Sequence, residues 1–151
     1  MTSASWIDQA ATVDVLSTIR WLEDNDFVET RRVGGPNASF GNIAFTFASA
    51  TIEIGIARDR GQWELHFRTP ETGTTFGIGL VSDVRRGVSD WTYRATSGFP
   101  EQLPEGVLWQ SEVPRCLSWL ATTEDAPTLL QAESERRSQI LRRRLQPPAS
   151  D

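Results

Sequence analysis

Four runs of alternating large apolar and smaller or polar residues dominate the middle of the chain: Ile43, Phe45 and Phe47; Ile52, Ile54 and Ile56; Trp63, Leu65 and Phe67; then Phe76, Ile78 and Leu80. A period of two puts successive side chains on opposite faces of a strand, so each run has one apolar face. The joints are short. Asp59-Arg60-Gly61 supplies a glycine where a tight turn needs positive φ, and the Pro70 to Thr74 segment separates the last two runs. This grammar predicts an antiparallel meander with one face that must be kept from water.

The N-terminal segment offers the cover. Ile7, Ala11, Val15, Ile19 and Leu22 fall three or four apart, with Asp8, Asp14, Ser17 and Arg20 between them, which is the spacing of an amphipathic helix over Trp6 to Leu22. Ser3 or Ser5 serves as its N-cap, and Glu23-Asp24-Asn25-Asp26 ends it, since short polar side chains compete for backbone hydrogen bonds. Burying one large apolar side chain is worth about 1.5 to 3 kcal/mol before chain entropy is counted, so helix on sheet is the economical arrangement. The expected fold is α+β: a meander of four to six strands, the N-terminal helix on one face, and C-terminal helices.

At 151 residues the chain has the length of one domain, expected over 1–146 with a flexible tail at 147–151. Phe27 to Val33 is expected to form a first strand before the Gly34-Gly35-Pro36-Asn37 loop. Asp83 to Glu105 is broken by Gly87, Gly98, Pro100 and Pro104, with Val88 to Ala95 as a candidate further strand. Ser111 is read as the cap of a helix through Ala121, with Pro114 in its first turn and Cys116, Leu117 and Leu120 toward the core. Thr123 is read as the cap of a last helix from about Glu124, carrying Leu129, Leu130, Ile140, Leu141 and Leu145.

Charge is divided unevenly. All 15 basic residues are Arg, and residues 136 to 151 hold five of them against Asp151, a local +4 that leaves −9 on the rest of a chain whose net charge is −5. An acidic body repels nucleic acid phosphates; it either serves solubility alone or suits a basic protein partner through electrostatic steering. The tail arginines lack interleaved aromatics, and Glu133 stands one helical turn before Arg137, so they read as a solvated helix end. Cys116 is the single cysteine and His66 the single histidine, with no Gly-x-Ser-x-Gly elbow and no metal-ligand spacing. Gly77 and Gly79 alternate with apolar residues inside a strand pattern and open no phosphate-binding helix. With Gly55 and Ala57 they form a smooth outer patch expected to receive the C-terminal helix. The expectation is of no catalytic residue, no cofactor and no metal. The start carries no secretory signal and no stretch is apolar enough to span a bilayer, which points to the cytoplasm.

The Ser39-Phe40-Gly41-Asn42 element, the strands that follow it, and Arg58-Asp59-Arg60-Gly61-Gln62-Trp63 together resemble small bacterial immunity-type proteins associated with polymorphic toxin loci. The resemblance covers roughly residues 39–80. It implies a non-enzymatic protein that binds a cognate toxin and occludes its active surface, and the acidic body would suit a basic toxin. On that reading Glu23, Asp24, Asp26 and Glu29 are the candidate partner contacts. The alternative is an adaptor or secretion chaperone that holds a client through the C-terminal helix. Oligomeric state is not addressed by any motif.

Overall fold

A computed structural model describes residues 13–35, 42–88, 103–104 and 106–145. Its element order is α1 (Val13–Asp24), β1 (Val28–Gly34), β2 (Ile43–Ala48), β3 (Glu53–Asp59), β4 (Gln62–Arg68), β5 (Thr75–Gly77), α2 (Ile78–Arg86), α3 (Trp109–Thr122) and α4 (Ala126–Leu145). The strands form one antiparallel meander in the order β1-β2-β3-β4-β5, and the helices make this an α+β fold. The expected Ser3 or Ser5 cap, the expected start of the N-terminal helix before Val13, all but Val88 of the expected Val88 to Ala95 strand, and the tail after Leu145 lie outside the described residues.

Register explains the core. Phe45 lies opposite Ile56, which lies opposite Leu65; Phe47 faces Ile54, which faces Phe67, which faces Phe76. Directly opposed residues share a face, so these rows make a continuous apolar surface, all of it buried. Val15, Ile19 and Leu22 of α1 join the same cluster with Trp109, Val113 and Cys116 of α3 and Leu130 of α4. α3 packs on α1 and α2, and α4 packs on α2.

Two devices hold the meander in register. Arg60 and Gly61 both take positive φ, 52° and 83°, the geometry of a two-residue hairpin turn matched to strand twist. Asn42 then locks that turn from the neighbouring strand: its Nδ2 donates to Asp59 Oδ1 at 3.2 Å and its Oδ1 accepts from the Arg60 amide at 2.9 Å. Asn42 ends one of the two elements that carry the sequence resemblance and Asp59-Arg60-Gly61 lies in the other, and here the two touch. Their joint occurrence therefore has a sheet-building role in its own right.

The pattern misled at β5. Ile78 and Leu80 were expected to continue a strand, yet β5 ends at Gly77 and α2 begins at Ile78. Val81 and Val84 supply the helical spacing, and Ile78 and Leu80 are buried in either geometry. α3 begins at Trp109, two residues before the expected Ser111 cap, so Pro114 sits in the helix interior rather than its first turn. Thr123 is the C-cap of α3, its amide bonded to Trp119 O at 2.9 Å, and not the N-cap of α4.

The N-terminus of α3 is closed from another helix. Asp14 of α1 accepts the Trp109 amide on Oδ2 at 2.8 Å and the Gln110 amide on Oδ1 at 2.9 Å, where Leu108 provides no side-chain cap. A carboxylate at this end also opposes the positive end of the helix macrodipole.

Candidate functional site

The candidate contacts lie where α1 turns into β1. α1 stops in a Schellman-type arrangement: the Phe27 amide reaches back to Leu22 O at 3.0 Å, and both side chains are buried together. The residue that must take the left-handed conformation in this motif is Asp26, with φ of 66°. Glycine adopts that conformation most cheaply, whereas Asp accepts it at some cost. Glu23, Asp24 and Asp26 are all exposed, and α1 has no basic residue in its last turn. Among the described residues none of the three makes a side-chain hydrogen bond or ion pair. Their charges therefore project from a helix C-terminus whose own dipole is negative, an arrangement that costs stability and raises the local negative potential.

Glu29 stands apart from that corner. It lies on β1 with its Oε1 2.7 Å from an Arg32 guanidinium nitrogen, and the Arg32 guanidinium carbon lies 4.9 Å from the centroid of the Phe45 ring. A bulge between Glu29 and Arg31 brings Glu29 and Arg32 onto one face of the strand, the face of Phe47 and Phe45. The structure thus groups Glu23, Asp24 and Asp26 and gives Glu29 a partner of its own.

The other chemically capable side chains are engaged elsewhere. Cys116 is fully buried, and burial, reinforced by the Glu112 carboxylate, pushes its thiol up to about 12, so it is held as the unreactive thiol. The His66 ring lies against Gly55 across the β3–β4 pair: a Cβ built on Gly55 would stand 2.1 Å from His66 Nε2. This partial burial lowers the imidazole below its ordinary value. The ring therefore occupies the patch expected to receive the C-terminal helix, while α4 packs on α2 instead and Gly79 has become helical. Beside it Arg68 pairs with Glu53 at 2.8 Å.

Ion pairs tie the helices together. Glu112, with its side chain 4% exposed, accepts Arg85 at 2.8 Å and 3.1 Å and Ser82 Oγ at 3.2 Å. Arg137 was expected at a solvated helix end; it is buried, bonded to Glu133 at 3.1 Å and to Asp83 of α2 at 2.8 Å. Hydrogen bonding from Arg136, and then from Arg137, draws Glu133 below the ordinary carboxylate range despite an opposing contribution from burial. These groups join α2, α3 and α4 and leave the far end of α4, with Arg142 and Arg143, exposed.

Among the described residues no three His, Cys, Asp or Glu side chains converge as a metal site would require, and no helix is long and apolar enough to cross a membrane. No family model matches the chain, and neither curated proteins nor solved structures give a match.

Proposed function

We propose that the chain is a non-enzymatic cytoplasmic protein of the immunity type, which binds a basic toxin through the acidic corner at the end of α1 and occludes the toxin's active surface. The observation that carries this reading is Asp26. An acidic residue stands at a left-handed position where glycine is cheaper, next to Glu23 and Asp24, at a helix end that disfavours negative charge. Strained or electrostatically unfavourable groups that the surrounding fold nonetheless holds in place are a mark of surfaces selected for binding. Glu29 lies beyond the corner on β1, with its charge shared with Arg32. The sequence resemblance adds the toxin-binding class to this, and the acidic body adds long-range steering.

The test is affinity for the product of the adjacent gene, measured with the unaltered chain and with Glu23, Asp24, Asp26 and Glu29 reversed to Lys. Four reversed charges at an interface rim should weaken binding by ~100-fold or more at low salt, mainly through a slower on-rate. Unchanged affinity would remove these residues from the interface.

A further inference from the structure

We propose that β1 is a self-complementary edge, through which two copies of this chain pair antiparallel into one continuous sheet. β1 forms one end of the sheet, and all seven of its residues are exposed, Val28 by 65% and Val33 by 51%. No described strand pairs with its outer side. An edge of this kind presents unpaired N–H and C=O groups that a further strand can satisfy.

The identity of that strand follows from the order Val28-Glu29-Thr30-Arg31-Arg32-Val33. With a two-fold axis between Thr30 and Arg31, Glu29 lies opposite Arg32 of the second copy, and Val28 lies opposite Val33 of the second copy; symmetry repeats each pair. The faces agree. Val28 and Val33 lie opposite Ala48 and Ala44, on the outer face, while Glu29 and Arg32 lie opposite Phe47 and Phe45, on the inner face. Without the bulge between Glu29 and Arg31, residues at this odd spacing would fall on opposite faces and the match would fail. One face then carries apolar cross-strand pairs, and the other carries the Glu29–Arg32 ion pair extended into a four-charge cluster.

Neighbouring registers lose this match. Placing the axis on Arg31 sets Arg31 against itself and Glu29 against Val33. Placing it on Thr30 sets Val28 against Arg32, and placing it between Arg31 and Arg32 sets like charges opposite each other. A bulge with inward charges is also a device that discourages indiscriminate edge pairing, which fits an edge that accepts one register and rejects others. The inference shares only Glu29 with the toxin-binding reading, since Glu23, Asp24 and Asp26 lie outside the paired segment.

The experiment is sedimentation of the full chain over a concentration series up to about 1 mM, with Glu29→Arg and Arg32→Glu each alone and mixed one to one. The unaltered chain should reach twice the 16.9 kDa of one copy. Each variant sets like charges opposite each other at both symmetric positions and should raise the dimer dissociation constant on the order of tenfold or more. The mixture restores opposite charges at both positions and should recover association as a heterodimer. That recovery cannot come from the pair within one chain, which stays broken in both variants. A chain monomeric at every concentration, including one that takes up a strand of a different protein, would overturn the proposal. So would a dimer indifferent to both variants, or a mixture that fails to associate.

Discussion

Replacing Asp14 probes how the helical layer is assembled, because one carboxylate links two helices through residues 95 and 96 apart in sequence. Removing a side-chain N-cap costs about 1 kcal/mol in typical helices. Here the carboxylate accepts two amides, carries full charge at the positive end of α3, and serves a Trp109 that is itself buried, so water replaces it poorly. Asp14→Ala should therefore destabilise the fold by about 2 kcal/mol, and Asp14→Asn, which keeps one good acceptor, by about 1 kcal/mol. For a chain of this length that corresponds to a fall in Tm of roughly 4 to 8 °C for the alanine variant. Urea unfolding followed by tryptophan fluorescence measures it, with an unchanged m-value expected. Asp24→Ala is the control: same residue type, same helix, opposite end, and no loss of stability, since its charge opposes the dipole. An Asp14→Ala variant within about 0.5 kcal/mol of the parent would refute the claim that this contact anchors α3.

Three further outcomes follow from named contacts. Glu112→Ala leaves Arg85 and Ser82 facing a buried gap and should cost about 3 kcal/mol, whereas Glu112→Leu combined with Arg85→Met should cost much less; a single change below about 1 kcal/mol would show the pair to be dispensable. His66 is protected by its contact with Gly55, so its folded-state pKa lies below the unfolded one; stability is then full above about pH 6.5 and declines as pH falls toward the folded value. Gly55→Ala should displace the ring and raise that pKa, which NMR reads directly from the chain's one histidine, and an unmoved titration would exclude Gly55 as the cause. Asp26→Gly should stabilise the chain by about 0.5 to 1 kcal/mol in urea unfolding while weakening partner binding; a loss of stability would mean the left-handed Asp carries no cost.

Legibility in the sequence followed the distance over which each determinant acts. The strands from Ile43 to Phe67 were readable because alternation is a local signal and the apolar residues of one face are buried, with Trp63 partly so. The switch at Ile78 was not, because Ile78 and Leu80 satisfy a strand and a buried helix alike, and only packing against β4, β5, α3 and α4 decides between them. Asp14 read as one polar residue on the solvent side of a helix, since nothing near it announces amides far along the chain. Arg137 showed its local Glu133 pair, while its burial came from Asp83 on another helix. In the candidate site, the exposure of Glu23, Asp24 and Asp26 followed from their place at a helix end. The pairing of Glu29 with Arg32 did not, because residues three apart on a regular strand lie on opposite faces and only the bulge reunites them.

The central claim, that the acidic corner neutralises a toxic partner, is tested most directly by growth of cells that express the product of the adjacent gene. The chain is supplied alongside it either unaltered or with Glu23, Asp24 and Asp26 reversed to Lys, with urea unfolding confirming that both forms fold. The account predicts toxicity that the unaltered chain relieves and the reversed form does not. Toxicity that persists beside the unaltered chain, or relief that the reversed corner delivers equally well, would contradict it.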